Sequence, residues 1–145
     1  MRGSFITLLA ALALGSVVHA ADARMPVYQS TTITVPGAYY LTRDISGSGP
    51  VITIAADGVD LDLNGFTVSG DGTADGISVS GRTNVRVRNG LVWNARVSIS
   101  SSKAVWLESI EVAMPPGGGI SVSYSDAVTV RDCSVFASGT DGIDL

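Results

Sequence analysis

From residue 51 onward the chain alternates apolar and polar residues in short runs, and one run recurs along it. The pattern reads apolar, any, apolar, polar or Gly, polar or Gly, inward residue, any, apolar. It begins at Leu61, Val85, Val105 and Val128, so successive copies start at a nearly constant interval of twenty-odd positions. A second short run precedes the last three copies by eight residues: Ile77-Ser78-Val79, Val97-Ser98-Ile99 and Ile120-Ser121-Val122. Before the first copy, Ile52-Thr53-Ile54 lies nine residues upstream, which reads as a one-residue insertion. Alternation at period two marks strands with one buried face, and a repeat of this length is one turn of a solenoid with three short strands. The fold expected is all-β, a right-handed parallel β-helix of three sheets and about four to five coils.

In such a stack each strand pairs with its counterpart one coil away, about 4.8 Å along the axis, so equivalent residues form ladders. Aligning the four copies predicts inward columns Leu61/Val85/Val105/Val128, Leu63/Val87/Leu107/Val130 and Val68/Val92/Val112/Val135. The earlier strand adds Ile77/Val97/Ile120 and Val79/Ile99/Val122. The remaining inward position holds Phe66, Gly90, Ile110 and Cys133, which makes Cys133 a small buried hydrophobe rather than a reactive thiol. About six inward side chains per coil, each contributing roughly 1.5 to 3 kcal/mol, must offset the ordering of a whole coil. No coil folds alone, and stacking is obligatory.

The segment from Met1 to Ala20 follows another rule: Arg2, an uncharged apolar run from Phe5 to Leu14, then small residues up to Ala20. That is the layout of a secretory signal peptide, with cleavage expected after Ala20, and the run is too short for a comfortable membrane span. Residues 1–20 are therefore read as signal peptide, 21–50 as an N-terminal lead-in and cap, and 51–145 as the coils. A secreted or periplasmic location follows, with no membrane span after cleavage.

Composition narrows the chemistry. The chain's one histidine, His19, leaves with the signal, so the mature protein has no imidazole for a Ser/His/Asp arrangement. Cys133 stands alone, which excludes an intrachain disulfide and a His/Cys metal site. Nine Lys and Arg less Arg2, against thirteen Asp and Glu, leave the mature chain at −5, which argues against a nucleic-acid partner. Seventeen glycines fit many tight turns between short strands.

Two segments carry a family resemblance. Ile33-Thr34-Val35-Pro36-Gly37-Ala38-Tyr39-Tyr40-Leu41-Thr42, followed by Asp57-Gly58-Val59-Asp60-Leu61-Asp62-Leu63-Asn64-Gly65-Phe66-Thr67-Val68, looks like the opening of bacterial secreted β-helix repeat proteins. Over about residues 31–145 the chain resembles the right-handed parallel β-helix proteins of the pectin-lyase-like superfamily. That resemblance implies a fold and a compartment, while the superfamily spans lyases, hydrolases, epimerases, adhesins and phage tailspikes. Within it, Thr140-Asp141-Gly142-Ile143-Asp144 is similar to the Asn-Thr-Asp-Gly motif of polygalacturonases, which makes Asp141 and Asp144 the catalytic candidates. Gly139 stands where that family has Asn, and the family's Asp-Asp, Gly-His and Arg-x-Lys motifs would fall beyond Leu145. The competing reading is a turn, since Asp75-Gly76-Ile77 occupies the same phase of the coil.

Outward positions supply the binding candidates Arg86, Arg88, Trp93, Trp106 and Arg131. Flat aromatic faces beside guanidinium groups suit sugar rings that carry carboxylates, so a polysaccharide is the expected partner. Against this, Arg88, Glu108 and Arg131 fall in one outward column and can neutralise one another across strands. The Ser78/Ser98/Ser121 and Ser80/Ser100/Ser123 ladders read as solvated strand faces. No cofactor is expected. Calcium would have Asp71 and Asp75 on the turns, but the glycine-rich nonapeptide repeat that marks such sites is missing.

Ile143 opens a further coil two residues before Leu145, so the sequence predicts an uncovered C-terminal coil that self-associates, or a longer parent protein. Two functions stay open on sequence. One is a secreted noncatalytic module, structural or polysaccharide-binding. The other is the N-terminal fragment of a polysaccharide lyase or glycoside hydrolase without its complete site.

Overall fold

The structure, a computed structural model, describes residues 23–145, so the signal-peptide reading of residues 1–20 lies outside the described residues. Three walls follow from the way each apolar-x-apolar run lays one face inward. The first wall stacks β2 (Thr31–Ile33), β5 (Ile52–Ile54), β8 (Asp75–Ser80), β10 (Arg96–Ser100), β12 (Ile120–Ser123) and β15 (Ile143–Asp144), all parallel. The second stacks β1 (Met25–Val27), β3 (Gly37–Leu41), β6 (Val59–Asp62) and β13 (Asp126–Arg131) with the first halves of β9 (Thr83–Trp93) and β11 (Lys103–Ala113). The third holds β4 (Ile45–Ser46), β7 (Thr67–Ser69), the second halves of β9 and β11, and β14 (Ser134–Phe136). The chain is a parallel β-solenoid of about five coils with no helix among the described residues.

Residues 31–46 already make a full coil, since β2, β3 and β4 pair with β5, β6 and β7. The interior is a single apolar column running the length of the stack, from Val27 and Ile33 to Ile120, in which Leu41, Leu61, Val87, Leu107 and Ile99 are fully buried. Stacking of this kind buries side chains against the coils above and below, which is why the repeats succeed only together.

Register corrects the sequence alignment in one coil. Val59, not Leu61, pairs with Val85, and Leu61, not Leu63, pairs with Val87, so the interior column is Leu61/Val87/Leu107/Val130. The later columns stand as expected, with Val68, Val92, Val112 and Val135 aligned. The cause is the Asn64-Gly65 turn, where both residues have positive φ (54° and 77°). It adds two residues between the second and third walls of that coil, and the alignment had absorbed them by sliding β6. The corner before β6 is correspondingly one residue shorter than its counterparts in the three following coils, not longer.

Corners elsewhere follow one rule. At the corner between the second and third walls Asn89, Ser109 and Asp132 have φ of 65°, 53° and 52°, and the strand ladder skips the Asn89/Ser109 pair. Before the second wall, Gly58, Asn84, Ala104 and Ala127 all have positive φ. This backbone region strains residues that carry a Cβ, by roughly 1–2 kcal/mol, and Asn tolerates it better than Ala. Ala104→Gly should therefore raise stability by about 0.5 kcal/mol, relief of strain exceeding the extra entropy of an unfolded glycine, while Ala104→Val lowers it by about 1–2 kcal/mol. Urea denaturation checks both, and a glycine variant that is less stable than the parent protein would contradict the strain at this corner.

Side chains tie the corners of adjacent coils together. The Thr67 and Thr83 N–H groups donate to Asp44 and Asp57 carboxylates in the preceding coil, each at 2.8 Å. Ser102, buried, accepts from Arg82 N–H at 3.1 Å, and the Ser125 hydroxyl accepts from Ser102 N–H at 3.1 Å in the same way. Such bonds satisfy corner N–H groups that no strand ladder reaches.

Candidate second-wall binding face

Because β6, β9, β11 and β13 lie in register, their outward residues form two columns on the second wall: Asp60/Arg86/Trp106/Thr129 and Asp62/Arg88/Glu108/Arg131. Charge alternates along the second column, and the side chains use it. Arg88 Nη1 lies 3.1 Å from Asp62 Oδ2, and Arg88 Nε donates to Asp60 at 3.2 Å. Arg131 Nη2 donates to Glu108 Oε1 at 2.8 Å. Asp62 also lies 3.6 Å from Arg24, whose guanidinium sits 4.8 Å over the Tyr40 ring. Arg88 and Arg131 are thus held by carboxylates of the protein itself.

Arg86 differs. Its closest carboxylate, Glu108, is 3.7 Å away, its side chain is 45% exposed, and its guanidinium lies 5.8 Å over the Trp106 ring. These two line a depression of about 270 Å³ with Gly58, Val59, Asp60 and Asn84. The arrangement brings the Trp106 indole, a loosely paired cation and an amide to one place, beside the Asp60 carboxylate that Arg88 holds. That is the equipment for a polar ring with one apolar face. Asp60 escaped the sequence reading because the two-residue slide of β6 set Asp62, rather than Asp60, opposite Arg86, and Asn84 because it stands at a positive-φ corner just outside the repeated pattern.

The structure does not bring the other candidates here. Trp93 stands on the third wall, between Ser69 and Ala113 in the ladder, so Trp93 and Trp106 face different sides. Asp144 lies on the first wall opposite Ser121, and Asp141 occupies the turn before it, both exposed. The Asp141 carbonyl accepts from Gly119 N–H, and Ile143 falls in the ladder of Ile77, Val97 and Ile120, which gives Asp141-Gly142 the place that Asp75-Gly76 holds earlier in the stack. Asp75 pairs with Arg96, and Asp71 accepts from both the Thr73 N–H (2.9 Å) and hydroxyl (2.6 Å). Those Thr73 bonds hold the Asp71 carboxyl below its ordinary value. Each of the two turn carboxylates therefore has a protein partner, and among the described residues no group of three His, Cys, Asp or Glu gathers to hold a metal ion.

Cys133 is half-buried against the interior and not fully buried as the repeat predicts, because it lies in the last full coil, with its thiol near the Leu107 and Arg131 carbonyls. Burial pushes that thiol up, which keeps it protonated and unreactive at neutral pH. Among the described residues no helix is long and apolar enough to cross a membrane.

No protein-family model matches the chain, and neither a curated protein nor a solved structure matches it.

Proposed function

We propose that this chain is a secreted, noncatalytic β-solenoid module that binds an acidic polysaccharide on its second wall, in the manner of the pectin-lyase-like proteins it resembles. The observation that carries the reading is the Arg86–Trp106 pair over the depression bordered by Asp60 and Asn84. A sugar ring stacks its C–H face on the indole, while its carboxylate takes Arg86 from the 3.7 Å contact with Glu108. Arg88 and Arg131 contribute indirectly, by neutralising Asp60, Asp62 and Glu108 so that the wall does not repel an anion. Support for a noncatalytic role comes from the placement of Asp141 and Asp144 at a turn and on another wall, away from the depression, since glycoside cleavage needs two carboxylates flanking one bond.

The test is calorimetric titration with oligogalacturonate at low salt. Binding should weaken about tenfold or more in Trp106→Ala, the loss of one stacked ring, and should weaken in Arg86→Gln and with added salt. Titration of wild type without heat or saturation, or undiminished binding by Trp106→Ala, would remove the second wall as the site. Release of reducing or unsaturated ends, abolished by Asp141→Asn, would overturn the noncatalytic reading.

A further inference from the structure

The third wall carries its own outward ladder, Ser69, Trp93, Ala113 and Phe136, fixed by direct register between β7, β9, β11 and β14. Trp93 and Phe136 are 41% and 54% exposed, and Ala113 between them is 7% exposed. We propose that this ladder is a platform for an uncharged, unbranched β-1,4-linked glycan chain lying along the solenoid axis, with Trp93 and Phe136 as its two stacking rings. It is a different surface from the Trp106 depression and does not depend on that reading.

Spacing is the first argument. The register sets the backbone positions of Trp93 and Phe136 two coils apart, about 9.6 Å, twice the interstrand step. In an extended β-1,4-linked chain successive sugars are flipped, so the same C–H face returns once per disaccharide, a length close to that separation. Every second sugar then meets a ring. Ala113, buried between them, puts no large side chain in the way of the intervening, inverted sugar.

Charge is the second argument. On the β9, β11 and β14 segments of this wall, the neighbouring outward column is Leu91, Glu111 and Ser134, in which Glu111 is the one charged residue. The nearest candidate cation in sequence, Arg96, is engaged by Asp75. Two columns that together hold exposed aromatic rings, one carboxylate and no guanidinium repel uronates and accept neutral sugars, the reverse of the second wall. Met114, next in the chain to Ala113, is a further exposed apolar residue at 52%.

The experiment titrates the folded protein with hexamers of β-1,4-linked glucose and of β-1,4-linked N-acetylglucosamine, with the α-1,4-linked glucose hexamer and oligogalacturonate alongside. One or both β-linked hexamers should bind, a disaccharide about tenfold or more weaker because it reaches one ring, and the α-linked hexamer not at all. Trp93→Ala and Phe136→Ala should each weaken hexamer binding about tenfold, and Trp93→Tyr should retain most of it. Phe136→Leu, which keeps an apolar side chain at an exposed position without a ring face, should weaken binding as much as Phe136→Ala and keeps the question answerable if a truncation unfolds the coil. Trp106→Ala should leave it unchanged. Absence of binding to both β-linked hexamers at millimolar concentration, equal binding of the α-linked hexamer, or indifference to Trp93 and Phe136 would overturn the platform.

Discussion

Replacing Gly90 with alanine should lower stability by about 3 kcal/mol and the midpoint of thermal unfolding by roughly 10 °C. A Cβ at this position would stand 2.4 Å from the Leu63 Cβ, 2.9 Å from Leu63 Cδ1 and 2.8 Å from the Phe66 carbonyl oxygen. Two of those three atoms belong to the backbone or to the root of a side chain, so no rotamer change relieves the contact. The crowding originates in the Asn64-Gly65 turn, which carries Leu63 past the end of β6 and over Gly90. An alignment of repeats leads to the opposite expectation, since Gly90 shares its column with Ile110 and Cys133 and looks like a gap that a larger residue would fill. Gly117→Ala is the control, because it has nothing within 4 Å and no left-handed backbone. Denaturation curves in which Gly90→Ala is as stable as Gly117→Ala would mean that Leu63 does not cover Gly90.

The second large effect should come from Asp62→Ala, at about 2–4 kcal/mol. Asp62 is 6% exposed and is the hub of the second wall. Its Oδ1 accepts from the Asn64 N–H at 2.7 Å and the Asn89 side-chain amide at 3.2 Å, and its Oδ2 faces Arg88 and Arg24. Removing the carboxylate leaves the Asn64 turn without its acceptor and several donors short of a partner. Because the Arg88 side chain is about a third exposed, the ion pair itself contributes modestly and most of the loss arises from the stranded donors. Asp62→Asn, which keeps an acceptor oxygen, should lose about half as much, and Arg88→Ala less than Asp62→Ala. Thermal unfolding of the three variants gives the order. Equal loss for Asp62→Asn and Asp62→Ala would assign the effect to charge instead.

Much of the molecule is legible without coordinates. Period-two alternation inside a longer, regularly spaced repeat determines a parallel solenoid, because inward residues of a coil can be buried only by the coils beside it. The columns from Val85 onward, the inward direction of Cys133 and the turn character of Asp141-Gly142 follow from the same periodicity. What periodicity cannot locate is a length change inside a coil. The Asn64-Gly65 insertion and the shortened corner before β6 offset each other to within a residue in the repeat length, so only strand pairing revealed that Leu61, not Leu63, meets Val87. That slide of two residues keeps every side chain on its own side of the wall but changes each neighbour, and it hid Asp60 from Arg86. Tertiary structure alone also decided which outward residues act together. Along the linear chain Trp93 and Trp106 are thirteen positions apart with the same polarity, yet the corner at Asn89 and its equivalents turns the backbone onto another wall. The two indoles therefore end on surfaces of different charge, one beside a loosely held guanidinium and one in columns without any, a division set by the fold's geometry and not by the residues taken one at a time.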